Sequence, residues 1–292
     1  AFAVQQGVSL PPHNELLSDL VLENLIWKQF AIDSLREGEI PLWNPNLFAG
    51  VPFLAAGQHS ALYPFSAIFY ALPLPRAYGL FTVLQLWLAG AFMYVFGRSL
   101  RLGRLPALVA GITYQLSAFF LVSVVFTMII AAAAWLPLLL AVIEVIVRKQ
   151  EEKGTGPFVP IVYVAIGAIA LGTHILAGHP EILVYTLLVM ALYALVRLIM
   201  LWRQVGSWKP ALRLGLWLTF MVGLGLGLGL GLGLGLGLGF TSILSRTTLM
   251  VSFSSSPSRS QDCSPWRSWL ASLYPRIRIL KTWVRLGLMR LL

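Results

Sequence analysis

Acidic and histidine side chains stand in two short segments whose spacing suits acid–base or metal chemistry. Asp19 and Glu23 are four residues apart, so a helix would place both carboxylates on one face. A carboxylate can accept the proton of a hydroxyl nucleophile, or hold a divalent metal such as Mg or Mn. His179 and Glu181 lie in the segment "THILAGHPE", which also holds His174, and a histidine can contact a phosphate or bind a metal. These residues are the first candidates for a catalytic or binding site.

Each candidate also has a purely structural interpretation. Asp19 in "SDLVLEN" fits an N-cap in front of an apolar run. His179 and Pro180 in "GHP" suit the end of one helix and the first turn of the next. Arg76, at the start of an apolar run, can pair with a lipid phosphate or anchor a helix at the membrane interface. The residues alone leave both interpretations open.

The composition decides what kind of fold must position these residues. Charged residues make up 11% of the 292-residue chain and hydrophobic residues 58%, whereas about a quarter of a typical soluble domain is charged. Between Glu39 and Glu144 the sequence contains no acidic residue. So few charges cannot cover a water-exposed surface, whereas a lipid bilayer removes that need. The sequence therefore predicts an all-α polytopic membrane protein and excludes a soluble enzyme.

The apolar runs give the number of spans, since a helix needs about 20 apolar residues to cross a bilayer. About six runs meet this length: 78–97, 105–124, 127–147, 158–176, 181–201 and 214–240. A shorter run, 61–75, is interrupted by Pro64, Pro73 and Pro75, which predicts a re-entrant or interfacial segment. Glu144, the one acid within a predicted span, lies one turn before Arg148 and is expected to pair with it.

Basic residues between the spans predict the orientation in the membrane. Arginine and lysine cluster at 98–104, 148–153 and 197–213, and alternation of the spans puts all three clusters on one side. By the positive-inside rule this side is cytoplasmic. Residues 1–77 and the turn 177–181 then face the opposite, extracytoplasmic side. Asp19 and His179 are thereby expected to meet the same compartment.

The chain divides by composition into an N-terminal loop, 1–77, a helix bundle, 78–222, and two unusual C-terminal parts. Glycine alternates with leucine through the low-complexity span 223–240, and a basic tail rich in serine and arginine follows at 241–292. Our preferred explanation is a slipped DNA repeat that put the tail out of frame. Most of the net charge of +10 comes from this tail, so we expect no nucleic-acid partner.

The most specific segment lies in the N-terminal loop. Leu20, Ile26, Phe30 and Leu35 recur near helical spacing and predict an amphipathic helix. The following segment is dense in proline, glycine, asparagine and aromatic residues, a composition typical of an ordered loop at the membrane surface. The distinctive residues are Asp19, Trp27, "SLREGEIPLWNPNLFAGVPFLA" at 34–55, Tyr63-Pro64, "AWLPLLLA" at 134–141 and "AGHPEILVY" at 177–185.

In these segments the chain resembles the bacterial membrane protein YfhO family, over roughly residues 18–222. The resemblance implies a GT-C-like glycosyltransferase fold, with the chain corresponding to an N-terminal part of longer proteins. It implies transfer of a sugar from a polyprenyl-phosphate donor to a cell-envelope acceptor, at the outer face of the bacterial cytoplasmic membrane. Asp19 would be the catalytic base or a metal ligand, with Glu23 beside it. Substrate and membrane lipid would contact His179, Glu181 and Arg76.

Two other functions remain open from the sequence. A transporter or channel is the main alternative, although such proteins usually place ionisable residues near the middle of the bilayer. Before the repeat, the predicted spans are nearly free of charges. The third possibility is that a truncated, frame-shifted chain has no activity. The sequence contains no phosphate-binding glycine loop, nucleophile elbow or HExxH zinc motif.

Overall fold

The computed structural model describes the backbone of residues 3–5, 8–10, 24–46, 50–153 and 160–254, and side chains over 24–46, 50–152 and 160–233. Asp19 and Glu23 lie outside the described residues, as does the tail from 255 onward. The chain divides into two compact units, Ala1–Ile243 and Leu244–Leu292. The described part of the second unit is helical as far as Ser254.

The described chain is almost entirely helical. Its helices are α1 (Leu25–Arg36), α2 (Phe53–Ala56), α3 (Ala67–Ala71), α4 (Leu74–Ser99), α5 (Arg104–Gln115), α6 (Ala118–Val122), α7 (Thr127–Ala133), α8 (Leu136–Lys153), α9 (Ile161–Leu176), α10 (Pro180–Val205) and α11 (Trp208–Ser254). Two antiparallel pairs of very short strands complete it: β1 (Ala3–Gln5) with β2 (Val8–Leu10), and β3 (Trp43–Asn44) with β4 (Val51–Pro52).

Over the described residues, five helical segments are long and apolar enough to cross a membrane. They are Leu74–Ser99, Arg104–Val125, Thr127–Glu152, Pro180–Val205 and Trp208–Gly233. The prediction of a multi-pass, all-α membrane protein is thereby confirmed. The remaining predicted span, 158–176, corresponds to α9, which is apolar but has 16 residues. At 1.5 Å per residue such a helix is about 24 Å long, shorter than a hydrocarbon core of about 30 Å.

The bundle is built around α8, which packs against α4, α9 and α10. Leu139, Ile143 and Ile146 of α8 are completely enclosed by these neighbours. By contrast, the outer helices present large apolar side chains outward, such as Val83 and Trp87 on α4, and Leu188 and Leu192 on α10. Lipid is the environment in which such faces are stable without a protein partner.

The segment 61–75, predicted to be re-entrant or interfacial, contains a 3₁₀ turn at Pro64–Ser66 and the five-residue helix α3, and its last two residues begin α4. The proline at residue 64 occupies the first turn, where its missing N–H costs nothing. Neither element is long enough to cross a bilayer. This segment instead carries Tyr63 and Phe69, both buried, into the core of the bundle.

Different segments of the chain lie at the two ends of the bundle. At one end the Ser60 hydroxyl donates a hydrogen bond to the carbonyl oxygen of Ala177, 2.6 Å away, so the N-terminal loop meets the α9–α10 turn. At the other end Arg101 pairs with Glu152 at 3.0 Å and Arg197 with Glu151 at 3.0 Å. The three basic clusters therefore meet at the end opposite to the loop.

Helix α1 confirms the predicted helix over Leu25–Arg36. The residues of α1 that are buried are Lys28, Ala31 and Ile32. Ile26 is 53% exposed and Leu35 42% exposed. A buried lysine, which the spacing of apolar residues cannot reveal, docks this helix onto the loop.

The leucine–glycine repeat continues α11 as a helix and packs one of its faces on α9. A β-carbon on Gly225 would lie 2.8 Å from the Leu171 β-carbon, and one on Gly229 would lie 2.6 Å from the Ile175 β-carbon. A β-carbon on Gly227 would meet nothing within 4 Å. Glycines four residues apart therefore allow the two backbones to approach closely, as in other membrane helix pairs.

Candidate functional site

A cavity of about 170 Å³ lies where the N-terminal loop meets the α9–α10 turn. Its walls come from the loop, from the turn and from the glycine face of α11: Leu54, Ala55, Ala56, Gly57, His59, Ala61, Leu62, Ile175, Leu176, Gly178, His179, Pro180, Leu183, Gly229, Leu230 and Gly233. The walls are mainly apolar, and among the described residues no lysine, arginine or carboxylate lines them. The volume is below the roughly 300–1,000 Å³ of typical small-molecule pockets. It suits a short apolar group.

Close backbone contact closes one wall of this cavity. Gly57 and Gly178 both have positive φ angles, +73° and +86°, which glycine adopts without strain. A β-carbon on Gly178 would overlap the carbonyl oxygen of Gly57. Ser60 adds the hydrogen bond to Ala177, and Ser66 donates one to the Ser60 carbonyl oxygen at 2.7 Å. The loop and the turn are thus fixed to each other.

His59 gives this loop its shape rather than a free catalytic group. Its Nε2 donates to the Phe53 carbonyl oxygen at 2.6 Å, and its Nδ1 accepts from the Ala61 N–H at 3.0 Å. The ring stacks on Phe53 with centroids 3.9 Å apart. Burial lowers the pKa of His59 to about 4. The side chain is therefore neutral at pH 7 with both nitrogens occupied.

Lys28 holds the backbone of His59 in place through a hydrogen bond. Its ammonium donates to the His59 carbonyl oxygen at 2.5 Å and lies 4.6 Å from the centre of the Phe69 ring. Lys28 is only 3% exposed, and none of the carboxylates that the structure describes forms an ion pair with it. Burial lowers the pKa of Lys28 to about 7. Lys28 thereby links α1 to the wall of the cavity.

His179 combines the structural and the functional interpretation of the "GHP" turn. It is the N-cap of α10, where its Nδ1 accepts from the Ile182 N–H at 3.3 Å, and Pro180 follows in the first turn. Burial lowers the pKa of His179, an effect that the charge of Glu181 opposes. The neutral ring, with Nδ1 as acceptor, carries its proton on Nε2. His179 therefore provides the cavity wall with one hydrogen-bond donor.

The remaining predicted site residues lie apart from the cavity. Glu181 and Arg76 are exposed and do not line it. His174 is buried inside the bundle, with its Nδ1 2.8 Å from the Ala132 carbonyl oxygen. Across the described parts of the chain, no three His, Cys, Asp or Glu side chains form a group able to hold a metal ion. Asp19 and Glu23 lie outside the described residues.

Sequence reasoning missed the polar network that anchors the loop. Trp135 donates from Nε1 to the Tyr63 hydroxyl oxygen at 3.1 Å, and the Tyr63 hydroxyl donates to Gln85 Oε1 at 2.9 Å. Sequence reasoning also missed the roles of His59 and Lys28. One signal was present: "GQHS" at 57–60 is a polar group between two apolar runs, and a buried polar group requires partners.

Glu144 belongs to a buried ion cluster at the opposite end of the bundle. It pairs with Arg148, as predicted, and also with Arg197 at 2.8 Å. The Tyr193 hydroxyl donates to the same carboxylate at 2.7 Å. Arg197 extends the cluster to Glu151. These contacts satisfy the carboxylate completely and join α8 to α10, so Glu144 has a structural role.

The cavity can hold an apolar group, and the Nε2–H of His179, a residue of its wall, can donate to a polar atom attached to that group. Its chemistry does not match a phosphate site, since a phosphate would need cations or several N–H donors. A reaction at this end of the bundle would need charged groups from elsewhere in the N-terminal loop. The chain matches no protein-family model, no curated protein and no solved structure.

Proposed function

We propose that this chain acts as a membrane glycosyltransferase of the GT-C class, using a polyprenyl-phosphate-linked sugar at the outer face of a bacterial cytoplasmic membrane. The observation that carries the proposal is the apolar cavity beside His179, at the end of the bundle where the N-terminal loop docks. A lipid-linked donor brings a hydrocarbon chain, which such walls accommodate. It also removes the need for a nucleotide-binding domain.

Each part of the donor would meet a different part of the protein. The first units of the isoprenoid chain would occupy the cavity, since Leu230 both lines it and is 42% exposed on α11. His179 would donate from Nε2 to an oxygen of the phosphate or sugar. The phosphate would remain outside the cavity, because the wall residues that the structure describes include no cation.

The reaction would be a direct displacement at the anomeric carbon. A hydroxyl oxygen of the cell-envelope acceptor forms the new bond to this carbon, and the bond to the phosphate oxygen breaks. The polyprenyl phosphate leaves with the electron pair. Asp19 would accept the proton of the hydroxyl, with Glu23 nearby, or would hold a divalent metal at the phosphate.

Transfer of a labelled sugar from a synthetic polyprenyl-phosphate donor tests this function. Asp19→Asn should lower transfer by two or more orders of magnitude, on the order of the general-base contribution of 10²–10⁴. Asp33→Asn is the matched control, because Asp33 is an exposed acid on α1 whose carboxylate, among the described residues, accepts from Gln29 and pairs weakly with Arg36. Full turnover by Asp19→Asn would exclude the assigned role.

Orientation is tested by labelling single cysteines in intact cells. With Cys263 replaced by serine, a cysteine at residue 19 should react with an impermeant reagent, and one at residue 101 should react after permeabilisation only. Reaction of both residues in the same compartment would contradict the proposed arrangement at the outer face.

A transporter is less consistent with the bundle. In the described spans, charged residues stand near helix ends, apart from the Glu144 cluster, whose carboxylate is fully paired. Solute flux through reconstituted vesicles, in the absence of sugar transfer, would favour transport instead.

A further inference from the structure

Exposed cations and tryptophans cluster at the hairpin between α10 and α11. Arg203, Lys209 and Arg213 are all exposed. Beside them Trp202 is 51% exposed and Trp208 60% exposed. We call these five residues the hairpin patch. It lies at the end of the bundle opposite to the cavity, so it takes no part in the function proposed above.

The backbone brings these side chains together. Gly206 ends α10 with φ at +69°, and its N–H donates to the Trp202 carbonyl oxygen at 3.0 Å. Only Gly206 and Ser207 separate α10 from α11. Lys209 and Arg213 are four residues apart on α11 and therefore share a helix face. Arg203, in the last turn of α10, also faces the negative end of the helix dipole.

The charge of the patch is uncompensated by protein groups in the described structure. The three acids at this end are already engaged: Glu144 with Arg148 and Arg197, Glu151 with Arg197, and Glu152 with Arg101. None of the ion pairs among the described residues includes Arg203, Lys209 or Arg213. The patch therefore presents three positive charges to an outside partner.

We propose that the hairpin patch binds the headgroups of anionic phospholipids. The span Pro180–Val205 ends at the patch and the span Trp208–Gly233 begins there, so the cations lie at headgroup depth. Tryptophan is favoured at the same depth. An RNA or an acidic protein would also meet positive charge, but the flanking tryptophans and the membrane-proximal position favour lipid.

Quenching by brominated lipids tests the proposal on the full chain in vesicles. Brominated phosphatidylglycerol should quench tryptophan fluorescence at lower mole fraction than brominated phosphatidylcholine. Subtracting the quenching of the Trp202→Phe/Trp208→Phe variant from that of the protein gives the quenching of the two patch tryptophans. Each cation should contribute on the order of fivefold to the preference, equivalent to about 1 kcal/mol.

Substitution of Arg203, Lys209 and Arg213 by glutamine should abolish this preference, and substitution of the two arginines by lysine should preserve it. The matched control is Arg36→Gln, which removes an exposed cation of α1 outside the patch and should leave the preference unchanged. If the triple variant does not fold, Lys209→Gln alone should lower the preference about fivefold.

Three results would overturn the proposal. The first is equal quenching of the unmodified protein by both lipids. The second is an undiminished preference in the triple variant. Patch-dependent binding of an RNA or an acidic peptide by protein that shows no lipid preference would also overturn it.

Discussion

Gly178 stands against Gly57 so closely that a β-carbon on Gly178 would overlap the Gly57 carbonyl oxygen. These residues are 121 positions apart, and their contact joins the N-terminal loop to the α9–α10 turn. Both glycines line the cavity, so their contact forms part of its wall.

Gly178→Ala should therefore destabilise the protein by on the order of 2–4 kcal/mol, the sum of left-handed backbone strain and overpacking. Gly206→Ala is the matched control, because Gly206 also has a positive φ but has nothing within 4 Å of its would-be β-carbon. Gly206→Ala should lower the free energy of unfolding by about 1 kcal/mol, from left-handed backbone strain alone. Unfolding by sodium dodecyl sulfate in mixed micelles measures both values. Equal losses would show that the contact is unimportant.

Gly229→Ala should weaken the packing of α11 on α9 by on the order of 1–3 kcal/mol, because its β-carbon would press on Ile175. Gly227→Ala should be neutral or stabilising, since Gly227 faces open space and alanine favours helix. The same unfolding titration compares the two variants. Similar behaviour of both would contradict the observed interface.

Removal of one leucine–glycine pair should preserve this interface. The repeat has a period of two, so positions 225 and 229 remain glycine after loss of Leu226 and Gly227. Removal of Leu226 alone places leucine at position 229 and should reduce the yield of monodisperse protein on size-exclusion chromatography. A comparable loss from both deletions would show that the sequence beyond the interface matters more.

Glu144→Ala should destabilise the bundle by about 3–5 kcal/mol, because it leaves Arg148 and Arg197 without their shared carboxylate. Glu152→Ala removes an acid from the same end, but its pair with Arg101 is exposed and should contribute at most about 1 kcal/mol. Unfolding free energies in micelles distinguish the two cases.

Acid should loosen the docked loop through His59. Its pKa is about 4 in the folded protein, against about 6.5 in an unfolded chain. Below pH 6.5 the unfolded chain binds the proton first, so stability should fall by about 3 kcal/mol between pH 6.5 and pH 4. His59→Gln should remove this part of the pH dependence. Parallel stability curves for the protein and the variant would refute the assignment.

Much of the fold was predictable from local features. Low charge and long apolar runs established a multi-pass helical protein, and the arginine clusters established which loops share an end. Glu144 and Arg148, four residues apart, predicted their own pairing. These predictions succeeded because span length and helical spacing are properties of contiguous sequence.

The sequence by itself determined the membrane class, the spans other than the short α9, and the helix-capping role open to His179. Only the tertiary structure decided that Lys28 is buried against His59 and that Gly178 contacts Gly57. It also decided that alternate glycines of the repeat pack α11 against α9. Such contacts join residues far apart in the chain. Their energies depend on which surfaces face each other, and no local pattern specifies that pairing.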